Sequence, residues 1–358
     1  MAKYDVIIIG GGAVGTSALY HLAKAGRGSV LLLEKLNGLG RGATGVWGSL
    51  VRMFHNNYET TLAATRTVPF YVDFERHVKA PFEWNQSGSL YFLKAGMLPQ
   101  YQGHLKAMAS SGLAFSVIEP AQGIRQFPDF AWFEDDVAVY EPFAGVASPK
   151  ATTEAFLRYA QEAGAEYRTG ADVVELVRQG ARVVGVRTAD GGYDECDQLI
   201  VCAGIWTNEV LGPLGAAVNA RPVAIQLNRY SRRQAQLSHP FFIDVAAKTF
   251  GHATRSGSFI GGYSGIDLSH DQLEAEHPRP DAANRAKHEL ARRIPWLKSA
   301  TIEGGIKALE SYAQGNRGFI DRVPGFDNVT VSTGWSCTGF TLAPMIGQKI
   351  AELTSGHS

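Results

Sequence analysis

The sequence predicts an α/β protein built from two interleaved units, each of which is discontinuous along the chain. First, the stretch YDVIIIGGGAVGTSALYHLAKAGRGSVLLLEK is typical of a β-α-β unit. Second, the pattern changes between about residues 81 and 140 to short strands, aromatic residues and proline-marked turns. Third, helical periodicity returns at PKATTEAFLRYAQEAG, and strands alternate again after it. A length of 358 residues also exceeds one ordinary core, which favours two units.

Composition and charge restrict the classes of protein to consider. With 45% hydrophobic and 19% charged residues the chain is typical of a globular protein, and its 34 basic and 34 acidic residues provide no overall field for nucleic acid or anionic membranes. Cys196, Cys202 and Cys337 are too few and too scattered for a disulfide framework, a zinc site or an iron–sulfur cluster. No signal-peptide pattern and no apolar run of about 20 residues is present, so we expect a cytoplasmic protein without a transmembrane segment or a metal.

The elements follow from the spacing of apolar residues. Residues 6–9 are β-branched and apolar on both faces, as in a buried parallel strand, and helical spacing follows over 13–24. A second strand is expected at 30–33 and a helix at about 58–79. Later strands are VVELV, ARVVGVRTA, CDQLIVCAG, AIQLNRY and GSFIGGY, one basic helix is DAANRAKHELARRI, and a last helix is expected near Pro344.

A glycine motif lies between the first strand and the first helix. Gly10, Gly12 and Gly15 form G-x-G-x-x-G, in which the first glycine allows the tight turn and the second lets a pyrophosphate approach the backbone. The third lets helix and strand pack closely, and the helix N-terminus attracts phosphate. Glu34 ends the second strand, where a carboxylate binds ribose hydroxyls and repels a 2′-phosphate. The motif predicts a Rossmann-type dinucleotide site that disfavours NADP.

Two further segments favour FAD over a nicotinamide cofactor. After Glu34 the small-residue stretch GLGRGATGVWGSLVR replaces the further β-α-β repeats that are usual in nicotinamide enzymes. Near the C-terminus, Gly334 and Gly339 bracket a loop that precedes a helix. A helix N-terminus beside a flavin stabilises the negative charge that collects on reduction.

Three segments together resemble the D-amino acid oxidase superfamily of FAD-dependent oxidoreductases, in its glycine oxidase, sarcosine oxidase and D-amino acid dehydrogenase branch. They are GGGAVG with Glu34, the strands VVELV, VVGV and LIVCAGIWT, and GWSCTGFTLAP with its helix. The resemblance covers essentially the whole chain. It implies a Rossmann-type FAD-binding domain (1–80, 141–220 and 311–358) interleaved with a substrate domain on a mainly antiparallel sheet (81–140 and 221–310).

The glycine motif and the resemblance together predict the cofactor contacts. The expected FAD-binding residues are Gly10, Gly12, Ala13, Val14, Gly15, Glu34, Lys35, Gly42, Ala43, Thr44, Val174, Ala203, Gly204, Trp206, Thr338, Gly339, Phe340 and Thr341. Val174 is expected near the adenine, and residues 338–341 are expected beside the isoalloxazine or the ribityl chain.

Four residues are candidates for the substrate site. Arg52 has the position at which sarcosine-oxidase-like enzymes carry an arginine, and a guanidinium binds a carboxylate in bidentate fashion. His55 follows three residues later, and Tyr263 and Trp335 could form walls of the pocket. A structural role is an alternative for each of the four.

The chain departs from sarcosine oxidases at three positions. Thr341 replaces a second carboxylate-binding lysine, and Ile260 replaces the lysine that activates dioxygen. The flavin-linking cysteine corresponds to a position near Ala308, so noncovalent FAD is expected. The electron acceptor is therefore dioxygen or another molecule, and both homo- and hetero-oligomers remain open.

The expected activity is oxidation of the C–N bond of a small amino acid or secondary amine, with hydride transfer to flavin and hydrolysis of the resulting imine. Placement of the substrate supplies much of the rate in such a reaction, and no general base is obligatory. Two alternatives remain: oxidation of a 2-hydroxy acid on the same fold, and a flavin subunit that relays electrons in a multi-chain dehydrogenase.

Overall fold

Two large sheets form the framework of the protein in a computed structural model, which describes residues 2–46, 49–232, 239–254, 256–265 and 278–354. Each sheet has eight strands, and a smaller sheet of three strands lies beside them. The predicted α/β class, with a Rossmann-type unit and a mainly antiparallel second sheet, is confirmed. The predicted small-residue stretch after Glu34 and the strand-rich segment 221–310 each include residues outside the described ranges.

The elements are named here in chain order. The strands are β1 (Ala2–Ile9), β2 (Val30–Glu34), β3 (Leu50–Val51), β4 (Trp84–Asn85), β5 (Ser89–Lys94), β6 (Ser116–Ile118), β7 (Asp136–Glu141), β8 (Gly145–Ala147), β9 (Glu166–Thr169), β10 (Val173–Gln179), β11 (Arg182–Thr188), β12 (Tyr193–Val201), β13 (Ala220–Ser231), β14 (Phe241–Asp244), β15 (Thr249–Ala253), β16 (Phe259–Tyr263), β17 (Thr301–Ala313), β18 (Phe319–Arg322) and β19 (Val329–Thr333). The helices are α1 (Ala13–Lys24), α2 (Ala43–Val46), α3 (Tyr58–Val72), α4 (Phe74–Val78), α5 (Gln102–Ala109), α6 (Pro120–Gln126), α7 (Pro149–Glu162), α8 (Thr207–Leu211), α9 (Pro280–Arg293) and α10 (Gly339–Thr354).

The first sheet has the order β10-β11-β12-β1-β2-β9, with β19 parallel to β12 and β18 paired to β19. Strand β1 is parallel to both β2 and β12 and lies at the centre of this sheet. Ile7 and Ile9 pack into one core cluster, whereas Val6 and Ile8 pack into another that includes α1 and α10. The strand is therefore buried on both faces, which explains its unbroken apolar run.

The second sheet has the order β17-β13-β16-β15-β14-β5-β7-β6 and is antiparallel except for the parallel pair β14–β5. Helix α9 covers one of its faces, where Ala286 and Leu290 pack with Tyr230 and Phe259. Strands β7 and β17 each extend across a boundary expected between the two domains, so those boundaries remain a prediction. Among the described residues, no helix is both long and apolar enough to cross a bilayer.

Two expected helices differ from their observed bounds. The helix expected at about 58–79 is interrupted at Asp73, whose backbone leaves helical geometry (φ −106°, ψ 24°), and it divides into α3 and α4. The last helix was expected near Pro344 with that proline in its first turn, but α10 begins at Gly339. Pro344 therefore lies inside the helix, where its missing N–H leaves the carbonyl of Phe340 without its usual partner.

A buried tyrosine replaces the missing helical hydrogen bond. The hydroxyl of Tyr71, on α3, donates to the carbonyl oxygen of Phe340 at 2.5 Å. Tyr71 is fully buried, and burial raises the pKa of its hydroxyl well above the ordinary value, so it remains a donor. This bond joins α3 to α10 at the point where the proline weakens the helix.

We expect Tyr71→Phe to lower the free energy of unfolding by about 1–3 kcal/mol, because it leaves the Phe340 carbonyl buried without a donor. In a Pro344→Ala background the new backbone N–H can bond to that carbonyl, so the same substitution should have a smaller effect. Urea unfolding of the four proteins in this double-mutant cycle measures the coupling. Additivity within about 0.5 kcal/mol would show that Tyr71 does not compensate for the proline.

Candidate functional site

The G-x-G-x-x-G segment forms the tight turn that the sequence predicts. Gly10 has a φ of 109°, and a Cβ atom there would collide with the carbonyl of Cys202. A Cβ atom at Gly15 would collide with the carbonyl of Gly10, so the third glycine is needed for the close approach of α1 to β1. Gly12 is the N-cap of α1, and the first turn of this helix lines a cavity.

Glu34 is held at the edge of this cavity by backbone amides. Gly11 N–H donates to its Oε2 at 2.6 Å, and Leu36 N–H donates to its Oε1 at 2.8 Å. Both carboxylate oxygens keep a free lone pair, so the group can still accept hydrogen bonds from a ligand. The Glu34 side chain is thus oriented before any ligand arrives.

The cavity encloses about 1250 Å³ of empty space, counting its mouth open to solvent. The cavity runs from the glycine turn after β1, past the loop after β2 and the turn after β12, to the start of α10, so it can hold an extended ligand. It brings together most of the residues expected from sequence: Gly10, Gly12, Ala13, Val14, Glu34, Lys35, Gly42, Ala43, Thr44, Ala203, Gly204, Trp206, Trp335, Gly339 and Phe340.

Local contacts order the walls of the cavity. The hydroxyl of Thr44 accepts a hydrogen bond from Ala13 N–H at 3.1 Å, which ties α2 to the start of α1. The Nζ atom of Lys35 lies 4.9 Å from the centre of the Trp206 ring, and both residues line the cavity. The contact between Lys35 and Trp206 connects the loop after β2 with the turn after β12.

Four expected cofactor residues do not line the cavity. Gly15 serves helix packing, and Thr338 donates its hydroxyl to the carbonyl of Trp335 at 2.5 Å. Thr341 is buried against β3, where its hydroxyl donates to the carbonyl of Leu50 at 2.6 Å, so its contact with the flavin stays a prediction. Val174 is 55% exposed, because side chains alternate along a strand and Val173, the preceding residue of β10, lines the cavity instead. The expected position of Val174 near the adenine stays a prediction.

A strained turn precedes α10 at the cavity wall. Thr338 N–H donates to the carbonyl of Trp335 at 2.8 Å, and the two residues between them, Ser336 and Cys337, have φ values of 48° and 64°. Left-handed backbone at two successive residues other than glycine is unfavourable and occurs where surrounding contacts impose it, often at functional sites. Here Ser336 N–H donates to the carbonyl of Ser311 at 3.0 Å, which fixes the turn to β17.

Arg52 follows β3 directly and is half-buried, with its Nε shielded from solvent. Its Nε has no hydrogen-bond partner among the described residues, and its guanidinium carbon lies 5.9 Å from the centre of the Tyr91 ring. Burial lowers the pKa of Arg52, while the nearby groups Tyr91, Glu141 and Cys337 act in the opposite direction. Arg52 does not itself line the cavity, but Cys337 does, and the charge of Arg52 acts on that thiol.

Glu141 positions the segment that carries Arg52. This fully buried carboxylate accepts hydrogen bonds from Met53 N–H at 2.7 Å and from Phe54 N–H at 2.9 Å. Burial raises the pKa of Glu141, although these two amides and Arg52 oppose the shift. The backbone on the C-terminal side of Arg52 is therefore fixed at two consecutive amides.

Besides Arg52, two of the four expected substrate-site residues do not line the cavity. His55 is buried beside Arg52 and His104, away from the cavity lining, and burial lowers the pKa of its imidazole well below the usual value. Tyr263 lies on the α9 face of the second sheet, where the guanidinium carbon of Arg285 is 5.9 Å from its ring centre. Tyr263 therefore does not line the cavity, and its place in a substrate pocket stays a prediction. Trp335 lines the cavity, and its role as a wall of the substrate pocket also stays a prediction.

The opposite face of the second sheet carries residues that sequence reasoning did not select. Paired residues of antiparallel strands share a face: Glu310 pairs with Val223, and Ile260 pairs with Arg229. Val223 and Arg229 are an even number of residues apart on β13, so Glu310 and Ile260 lie on one face, opposite α9. Glu310 also lines the cavity.

Glu310, Tyr312 and Cys337 form a cluster where β17 meets the strained turn. The Tyr312 hydroxyl lies 3.2 Å from the Cys337 sulfur. Burial raises the pKa of Cys337 well above its usual value, and the charge of Glu310 adds to that shift. Burial also raises the pKa of Glu310 to about 7, opposed by a hydrogen bond from the backbone amide of Cys337. Cys337 belongs to the GWSCTGF segment, whereas Glu310 belongs to no local motif that would have identified it.

Comparisons with known proteins agree with this arrangement. The model of the FAD dependent oxidoreductase family (DAO) matches residues 5–353. The chain is 25% identical over 376 residues to 4-methylaminobutanoate oxidase (formaldehyde-forming) of Paenarthrobacter nicotinovorans, covering 97% of this chain but only 43% of that protein. It is 25% identical over 366 residues to monomeric sarcosine oxidase of Streptomyces avermitilis, covering 98% and 93%. The L-proline dehydrogenase structure from P. horikoshii shares the fold (TM-score 0.88, 22% identity, 99% and 94% covered).

Proposed function

Because the chain belongs to the FAD dependent oxidoreductase family, we propose that it oxidises the C–N bond of a small amino acid or secondary amine by hydride transfer to FAD. The imine that results is hydrolysed by water. Several relatives with this fold are named for such substrates, among them sarcosine and glycine. The cavity extends from the glycine turn after β1 to the start of α10, and the glycines of that turn leave its backbone open to the approach of a pyrophosphate.

The proposed cofactor site uses the residues that line the cavity. The amides that begin α1 bind the pyrophosphate, and Glu34 accepts hydrogen bonds from the ribose hydroxyls. Ala43 and Thr44 lie along the cavity, and the N-terminus of α10 faces it at Gly339. The FAD is proposed to be noncovalent, because Ala308 replaces the linking cysteine.

The observation that carries the proposed substrate class is Arg52. A half-buried guanidinium whose Nε has no partner among the described residues is ready to bind an anion, and a carboxylate matches its planar fork. Tyr91 covers one side of the guanidinium, and the Glu141 contacts fix the backbone beside it.

FAD supplies the electron acceptor for the reaction when it is bound. The protein binds the carboxylate through Arg52 and orients the α-carbon, so that placement accounts for much of the acceleration. Trp335 lines the cavity and is proposed to cover the bound substrate there. Dioxygen or a separate acceptor then removes the electrons.

A substrate panel tests the proposal. The holoenzyme is mixed anaerobically with glycine, sarcosine, proline, D-amino acids and 2-hydroxy acids, and bleaching of the flavin absorbance is followed. We expect an amine to bleach the flavin, and admission of air then separates an oxidase from a dehydrogenase. Bleaching by a hydroxy acid alone would contradict the proposal. Turnover that requires added partner chains would identify an electron-relaying subunit.

A further inference from the structure

Glu310 is a buried carboxylate in the cavity wall for which the proposed chemistry so far has no use. Its side chain is 8% exposed, and its position on β17 puts it on the face opposite α9. Among the described residues no cation contributes to its pKa, and its hydrogen-bond donor is the Cys337 amide. A buried carboxylate without a cationic partner is unfavourable, so a ligand that supplies a cation would stabilise it.

The groups around Glu310 leave its charge uncompensated. Tyr312 on the same strand and Cys337 in the facing turn are both neutral, because burial raises the pKa of each. Arg221, on the paired strand, acts on Tyr312, and Arg52, from the segment after β3, acts on Cys337. Neither arginine contributes to the pKa of Glu310 itself, so the carboxylate remains available to a group inside the cavity.

Arg52 and Glu310 have opposite charges and lie beside two contacts to the same segment: Ser336 N–H donates to the carbonyl of Ser311 on β17, and Thr341 donates to the carbonyl of Leu50 on β3. The charges of Arg52 and Glu310 both act on Cys337 in that segment, so the two residues approach one region of the site from different elements. An amino acid at neutral pH presents the complementary pair, a carboxylate and an ammonium. The amine must lose a proton before its α-carbon can release hydride, because an ammonium nitrogen has no lone pair to form the imine. A carboxylate within reach of the ammonium can accept that proton.

Resting on the function proposed above, we propose that Glu310 binds the substrate ammonium and accepts its proton, while Arg52 binds the carboxylate. In this step an N–H bond of the ammonium breaks and an O–H bond forms on Glu310, which leaves a neutral amine and a neutral carboxyl group. The proton returns to solvent after the product leaves. Glu310 thereby selects amines over the corresponding hydroxy acids, because a hydroxyl group offers no cation.

Glu310→Gln tests the assignment, with Glu303→Gln as the matched control, since Glu303 lies exposed on the same strand. Anaerobic flavin reduction is measured across pH with the best amine of the panel. In the wild type the rate should rise with pH through about 7 as Glu310 ionises. In Glu310→Gln the rise through about pH 7 should disappear, and the rate at neutral pH should be about 10²-fold lower. At alkaline pH the rate of this variant should recover, because the free amine accumulates in solution. Glu310→Asp should restore part of the neutral-pH rate, and Glu303→Gln should match the wild type.

A binding measurement separates this role from a structural one. Methoxyacetate carries a carboxylate and an ether in place of the amine, and its binding is followed by the change in flavin absorbance. We expect Glu310→Gln to bind methoxyacetate as tightly as the wild type or more tightly, because a nearby negative charge is removed. In the wild type, ionisation of Glu310 destabilises the fold as pH rises from 4.5 to about 7, because burial raises the pKa of this carboxylate. Above about pH 7 we therefore expect Glu310→Gln to unfold at a temperature no lower than that of the wild type.

An unchanged pH profile in Glu310→Gln, with amine oxidation intact in the wild type, would overturn the role of Glu310 and leave the proposed function standing. Weaker binding of methoxyacetate together with a lower unfolding temperature would also overturn it, in favour of a structural role. If no amine reduces the wild-type flavin, the proposed function itself fails.

Discussion

Replacing Arg52 with methionine is expected to lower kcat/KM for a carboxylate-bearing amine by roughly 10²–10³-fold. Methionine fills a similar volume but removes the charge that we propose binds the carboxylate. Loss of one partner of a buried charged pair costs about 2–5 kcal/mol, and each 1.4 kcal/mol corresponds to about tenfold. Steady-state kinetics with the best amine of the substrate panel measure the effect.

The controls for Arg52 use both the enzyme and the substrate. Arg66→Met removes an exposed arginine from α3 and should leave kcat/KM unchanged. Arg52→Lys keeps the charge but not the bidentate fork, so it should retain part of the activity. An amine substrate without a carboxylate should react equally with wild type and Arg52→Met. An unchanged half-saturation of the carboxylate substrate in Arg52→Met would contradict the anchoring role.

The cofactor end of the cavity could be predicted from sequence because its determinants are local. Gly10, Gly12 and Gly15 lie within six residues, and Glu34 ends the next strand, so one β-α-β unit contains the whole pattern. One steric reason is equally local, since a Cβ atom at Gly15 would collide with the carbonyl of Gly10, whereas a Cβ atom at Gly10 would collide with the carbonyl of Cys202, which directly follows β12. The family and the FAD cofactor were predicted from this unit together with the later strands and the segment that leads into α10, and the family match confirms both.

The substrate end could not be predicted in the same way because long-range pairing creates it. Glu310 reaches the cavity through the pairing of β17 with β13, and it meets Cys337 through a turn 27 residues later in the chain. Tyr263 shows the same limit, because the sequence identified its strand but not which face α9 would cover. A shift of one residue along a strand reverses the face, so a single sequence leaves this choice open.

Arg293→Met is expected to lower the free energy of unfolding by about 3–5 kcal/mol. Arg293 is 2% exposed and donates to Asp136 from Nη1 at 2.6 Å and to Asp244 from Nε at 2.8 Å. Its guanidinium carbon also lies 4.0 Å from the centre of the Phe92 ring. The substitution removes the cation and leaves two buried carboxylates, one of which keeps a contact to Lys94 at 3.1 Å. Urea unfolding monitored by fluorescence measures the loss.

The pH dependence and a neighbouring arginine test this explanation. Burial alone would raise the pKa of Asp136, but hydrogen bonds from Arg293, Phe133 and Lys94 outweigh it and keep the pKa below 3.8. In the wild type this stabilisation is present above that value and is lost as pH falls through the lowered pKa. In Arg293→Met the unpaired carboxylates become protonated as pH falls, so the difference from wild type should narrow in acid.

The matched control is Arg292→Met on the same helix, whose side chain is 64% exposed and pairs with Glu289 at 3.3 Å. Glu289 is itself buried, but it keeps its pair with Arg285 at 2.8 Å when Arg292 is lost, so this variant should unfold near the wild-type midpoint. Adding Asp136→Asn and Asp244→Asn to Arg293→Met should recover part of the stability, because the uncompensated charges are then absent. Equal losses in the two arginine variants, or a deficit that does not change with pH, would show that packing by Arg293 and not its charge holds α9 to the second sheet.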